Sequence, residues 1–130
     1  LRHPVTHVLL LQIRGCQTSA VGTNDAVTYT YAYNTRGQVI EKRDALYDAG
    51  TPELHNTKFE YNTAGYLTKK IESADTAGGT RPETTFTYDT VGRLKTATDP
   101  VGRIVTYDYD NRNRHVKTTY NDSSYEEKTY

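Results

Sequence analysis

The stretch that decides the fold is Phe86-Thr87-Tyr88-Asp89-Thr90-Val91-Gly92-Arg93-Leu94. It occurs earlier as Tyr31-Ala32-Tyr33-Asn34-Thr35-Arg36-Gly37-Gln38-Val39 and as Phe59-Glu60-Tyr61-Asn62-Thr63-Ala64-Gly65-Tyr66-Leu67. A degraded copy follows as Tyr107-Asp108-Tyr109-Asp110-Asn111-Arg112-Asn113-Arg114-His115. The shared pattern is aromatic-x-Tyr-(Asn/Asp)-x-x-Gly-x-(Val/Leu). Its second aromatic is a tyrosine at 33, 61, 88, 109 and again at 130, giving spacings of 28, 27, 21 and 21 residues. A recurring period is the signature of a repeat array. The unit is 21 residues long, and the first two intervals carry insertions of six or seven. These contain Gly50-Thr51-Pro52 and Gly78-Gly79-Thr80-Arg81-Pro82, both loop compositions.

Each unit reads as two strands and two turns. Val27, Tyr29, Tyr31 and Tyr33 alternate with Thr28, Thr30 and Ala32, as a half-buried strand requires. Val105, Tyr107 and Tyr109 repeat the arrangement. The Asn or Asp after the tyrosine then opens a type I turn, because its side chain accepts a backbone N–H. Glycine stands fourth (Gly37, Gly65, Gly92), where a bulge-closed hairpin needs φ > 0. Asn113 takes that place in the degraded copy, and Asn tolerates the left-handed region best after glycine. The return strands are expected at 38–43, 66–72, 93–98 and 114–120. The second turn of the unit is clearest at Asp99-Pro100-Val101-Gly102, with Asp first, Pro second and Gly fourth. The expectation is an all-β antiparallel meander of about nine strands, with no helix, since no window keeps a 3.6-residue apolar period.

Composition agrees. Leu, Ile, Val and Phe contribute only 23 of 130 residues, while Tyr contributes 12 and Thr 22. Both of the latter favour strands. A low aliphatic content signals disorder when it accompanies a large net charge, but here 16 basic residues balance 16 acidic ones. A neutral chain has no global field to draw nucleic acid or an acidic membrane, so no nucleic-acid partner is expected. No apolar run approaches the ~18 residues of a membrane-spanning helix. The single Cys16 excludes a disulfide scaffold.

Residues 27–130 thus form about four units and the start of a fifth, and residues 1–26 stand apart. The run Val8 to Leu11 ahead of Cys16 could read as a lipoprotein-type signal, but Arg14 stands where a signal needs a small residue, which leaves an extra strand or sequence at a fragment edge that does not belong to the fold. The absence of Met points to a fragment or a processed product.

The units resemble the YD repeats of the Rhs family. Phe86, Tyr88-Asp89, Gly92-Arg93-Leu94, Thr98-Asp99-Pro100, Gly102, Tyr107 and Tyr109-Asp110 match that family's Tyr-x-Tyr-Asp-x-x-Gly-Arg-Leu and Thr-Asp-Pro-x-Gly pattern. The resemblance implies a segment of a spiralling β-sheet shell in a secreted or cell-surface bacterial protein. It also implies partners: neighbouring repeats of the same parent chain, and a C-terminal toxin domain that the shell encapsulates or presents. Four to five repeats are too few to close such a shell. The self-cleaving core segment that ends the family's shells is absent from this sequence.

The residues allow other readings. The tyrosines could form a carbohydrate-binding adhesin surface, against the preferred ladder of cross-strand packing at Tyr29, Tyr31, Tyr33, Tyr61, Tyr88, Tyr107 and Tyr109. Asn34, Asn62, Asp89 and Asp110 could hold calcium, but each has a turn to cap and they lie at least 21 positions apart. Arg112, Arg114, His115 and Lys117 form a basic cluster flanked by Asp108, Asp110 and Asp122, which reads as a solvated face. His3, His7, His55 and His115 are scattered and compose no catalytic motif, and Cys16 with His3 and His7 falls short of a four-ligand zinc site. No enzyme activity, cofactor or metal is expected.

Overall fold

A computed structural model describes residues 8–12 and 28–130. The described residues form ten strands: β1 Val8–Gln12, β2 Thr28–Tyr33, β3 Val39–Arg43, β4 Asn56–Tyr61, β5 Leu67–Ile71, β6 Glu83–Tyr88, β7 Leu94–Thr98, β8 Ile104–Tyr109, β9 His115–Thr119 and β10 Tyr125–Glu127. Strand order in the sheet is chain order, so the topology is an antiparallel meander. Each expected return strand is present, trimmed by one residue at the ends where turn hydrogen bonds take over. The N-terminal run supplies β1, which pairs antiparallel with β2 from Val8↔Ala32 to Gln12↔Thr28. Cys16, His3, His7 and Val27 lie outside the described residues, as does the signal-type reading of the stretch around Cys16.

Two compact units divide the chain, one drawn from Leu1–Phe59 with Ile71–Arg81, the other from Glu60–Lys70 with Pro82–Tyr130. In the first, the two insertions fold onto each other. The backbone N–H of Ala74 donates to the Glu53 carbonyl (2.8 Å), and that of Gly78 donates to the Glu53 carboxylate (2.9 Å). The latter bond holds the Glu53 carboxyl below its ordinary range. Arg81 donates to the carbonyls of Glu72 and Asn56. The buried Ala74 and Asn56 mark the centre of this packing, with the Asn56 amide donating to Glu41. One expectation needs correcting here: the first insertion contains a three-residue 3-10 turn, Pro52–Leu54. Its start follows from Pro52, whose fixed φ suits a first helical position.

In the second unit the registers show how a sheet this poor in aliphatics holds together. Thr87, Thr96, Thr106 and Thr119 are successive register partners across β6, β7, β8 and β9. The hydroxyls of Thr87 and Thr96 meet at 2.6 Å. Beside this row runs Phe86, Ala97 and Val105, one apolar partner per strand. Cross-strand pairs of this kind are the stabilising unit of a sheet. Among the described residues only Ala32, Ala74, Asn56 and Thr118 are buried. Most other strand residues are half-buried and the rest, all of β10 included, are exposed, as expected of a single layer without an aliphatic interior.

Candidate functional site: the repeat-to-repeat clamp

The repeat signature is built from the turn upward. Asn34, Asn62, Asp89, Asp99 and Asp110 each accept with their backbone carbonyl from the residue three positions on, at 2.9–3.0 Å. That residue is Gly37, Gly65, Gly92, Gly102 or Asn113, and all five have positive φ, Asn113 at 62°. Each turn residue also donates its N–H to the carbonyl four positions on, closing the bulge. Register shifts fall just before Tyr33, Tyr88 and Tyr109, at the same place in three of the repeats. A sixth such turn, Tyr120-Asn121-Asp122-Ser123, was not apparent from sequence. Ser123 holds φ 68° where the pattern has glycine.

The turn carboxylates do more than cap. Asp89 Oδ1 accepts from the N–H groups of Val91 and Arg93, while Oδ2 takes Arg93 Nε at 2.6 Å. Asp99 treats Val101 and Arg103 in the same way, and Asp110 treats Arg112 and Arg114. Within this chain, Asp opens the turn wherever Arg follows the turn glycine or Asn113. Where Gln38 or Tyr66 follows, the opening residue is Asn. Asn34 makes the neutral version of the bond, its amide donating to Gln38 Oε1 at 3.0 Å. Each candidate calcium ligand is thus spent on its own turn. No group of three His, Cys, Asp or Glu side chains close enough to hold a metal occurs among the described residues.

The held arginine reaches the next repeat. The Arg93 guanidinium lies over the Tyr109 ring, 4.7 Å from its centroid, and that of Arg114 lies over Tyr130 at 4.5 Å. Tyr66, at the position of those arginines, instead stacks on Tyr88 with centroids 4.9 Å apart. The hydroxyl of each covered tyrosine then donates backward to one carbonyl, that of the second residue past the turn glycine or Asn113. The pairs are Tyr88 to Leu67 (2.8 Å), Tyr109 to Leu94 (2.8 Å) and Tyr130 to His115 (3.0 Å). One repeat therefore offers a side-chain lid and a carbonyl, and the following repeat inserts a tyrosine between them. Burial raises the Tyr88 and Tyr109 phenols above their ordinary range.

In the expected ladder of cross-strand packing the tyrosines meet partners other than tyrosine. The register partners of Tyr31, Tyr33, Tyr88, Tyr107 and Tyr109 are Lys42, Val39, Leu94, Thr118 and His115. Tyr107 and Tyr109 both contact the His115 ring, at 5.7 and 5.8 Å. Lys42 lies over Tyr29, Arg43 over Tyr47 and Lys117 over Tyr125. Five cation–ring contacts in about 100 described residues exceed the ordinary frequency of roughly one per 70–80. The basic cluster is absorbed in the same way. Arg114 is held by Asp110, Lys117 stands 3.4 Å from Glu127, and the Thr118 hydroxyl meets the His115 ring. Of the remaining signature residues, Pro100 occupies the second position of its turn.

The capped carboxylates make stability pH-dependent. At Asp99 and Asp110 the backbone N–H groups of Arg103 and Arg114 lead in lowering the pKa. At Asp89 burial works upward but is outweighed by the Arg93 and Val91 bonds. All three lie below the ordinary 3.8. Their stabilisation is complete above that value and disappears as pH falls through the lowered one. Melting temperature is expected to hold steady down to about pH 5 and to fall below about pH 4. The triple variant Asp89→Asn, Asp99→Asn, Asp110→Asn keeps the caps and should show a flatter acid limb. An acid limb as steep as the parent's would refute the assignment.

The RHS Repeat family matches residues 88–124. Teneurin-m of Drosophila melanogaster is 32% identical over 82 residues, which cover 59% of this chain; the chain spans only 3% of that protein's length. Among the described residues no helix is long and apolar enough to cross a membrane.

Proposed function

Starting from a chain that carries Rhs/YD repeats and has a structural repeat role, we propose that it forms part of a β-sheet wall enclosing or presenting a C-terminal toxin domain in a secreted or surface-displayed bacterial protein. The observation that supports this reading is the clamp. Three successive hairpins each hold the tyrosine of the next in the same orientation, so an array could extend by repetition without any new kind of contact. The neighbouring repeats of the parent polypeptide are the first partners this implies.

The test is protection. In the complete polypeptide that contains these repeats, the domain that follows them should resist protease while the repeats are folded. It should become cleavable when Gly92→Val weakens them. Equal cleavage of that domain with the repeats intact would overturn the enclosing role.

A further inference from the structure

We propose that the groove between the turns opened by Asp99 and Tyr120 docks a basic segment of another polypeptide, one of whose lysine or arginine side chains lies across the Tyr120 ring with its charge at Asp122. The groove has a volume of about 420 Å³. Ile104, Val105 and Tyr120 form its apolar side, while Asp99, Arg103 and Asp122 bring the charge. It occurs at the hairpin that lacks a cation of its own. In the turns opened by Asp89, Asp99 and Asp110, an arginine follows the left-handed residue and is bound by the turn carboxylate. In the turn opened by Tyr120 that position is Ser124, and the carboxylate is Asp122. Asp122 accepts from the Ser124 N–H and hydroxyl. These bonds, and not a cation, hold its carboxyl below the ordinary range. Glu126 adds a second carboxylate, and burial followed by that charge raises the Tyr120 phenol. Among the described residues neither Asp122 nor Glu126 takes part in an ion pair.

The chemistry of the groove selects its occupant. Five tyrosines of this chain are covered by a lysine or arginine. Tyr120 is 37% exposed and has no such cover among the described residues. Arg103 is the one cation lining the groove, and it is bound to Asp99 at 2.6 Å. Those two charges cancel, so Asp122 leaves the groove negative and opposes an anionic ligand. A lysine or arginine side chain satisfies both sides at once: its stem lies on apolar surface and its head meets a ring face and a carboxylate. Val101 and Ile104, 75% and 44% exposed, carry the apolar surface past the reach of one side chain. That extent fits a peptide segment better than a free amine.

Fluorescein-labelled decapeptides of alternating Lys and Gly, Arg and Gly, Glu and Gly, or Ser and Gly would be titrated with the full chain by anisotropy at low ionic strength, with spermidine as a competitor. Saturable binding of at least one basic peptide is expected, and none of the acidic or neutral ones. The double variant Asp122→Asn with Glu126→Gln keeps the acceptor for Ser124. It should keep the parent's melting temperature and weaken binding at least about fivefold. Tyr120→Leu should weaken it about threefold by loss of the ring face. Ser124→Arg gives Asp122 the cation that the other turns have, and should weaken binding as much as the double variant does. Asp48→Asn with Asp75→Asn removes the same charge from exposed carboxylates outside the groove, and should change binding less than about twofold. Absence of binding to both basic peptides, equal weakening in this control, or undiminished binding in the folded double variant would each overturn the site. So would spermidine binding more tightly than either basic peptide. None of these outcomes bears on protease protection, so the wall reading is decided separately.

Discussion

Gly92→Val is expected to destabilise the chain by about 2–4 kcal/mol, seen as a fall in the urea midpoint. Two costs coincide. Gly92 holds φ +89°, a conformation that a β-branched residue adopts only under strain. A Cβ there would also overlap the Tyr66 hydroxyl and come within 2.8 Å of Cζ, in the ring that stacks on Tyr88. Gly37 separates the two costs. It has φ +78° with nothing within 4 Å of a built Cβ, so Gly37→Ala carries the backbone cost alone. Gly92→Ala should therefore cost more than Gly37→Ala, and adding Tyr66→Arg should remove part of the difference. Equal effects at the two glycines would show that Tyr66 does not lie where the structure puts it.

Tyr109→Ala is expected to cost about 2–4 kcal/mol, close to the loss on truncating a buried aromatic side chain, and Tyr109→Phe about 1 kcal/mol. The alanine removes the ring under Arg93 and the contact to His115, while the phenylalanine removes only the bond to the Leu94 carbonyl. Because Arg93 also reaches Asn113 Oδ1 at 2.9 Å, a double-mutant cycle with Arg93→Ala should show coupling. Additive losses at 93 and 109 would mean that the lid and the ring act independently.

Much of this was legible in the sequence because hairpins are local. A turn of five residues carries its own chemistry in Asn or Asp at the start and glycine at the fourth position. Strand limits followed to within a residue, and even Asn113 was readable as a glycine substitute. The clamp was not legible. It joins Tyr88 to Leu67 and Tyr109 to Leu94, residues 21 and 15 positions apart, and depends on the stagger of strands, which no propensity encodes. The partners of the tyrosines were not legible for the same reason: regular spacing placed the rings but not the cations that cover them. One signal was available. The pairing of Asp with Arg and of Asn with Gln or Tyr at fixed separation in each turn already marked those two positions as interacting. The Ser123 turn escaped notice because serine seldom occupies the left-handed region, and the contact between insertions because loop composition carries no address.

The clamp also has a direction. The lid and the carbonyl always come earlier in the chain than the tyrosine they receive. A ribosome delivers the chain in that order, so Tyr88, Tyr109 and Tyr130 each emerge after the residues that receive them. Assembly can then proceed as a ratchet from the N-terminal side, one repeat behind synthesis, with no need to wait for the far end.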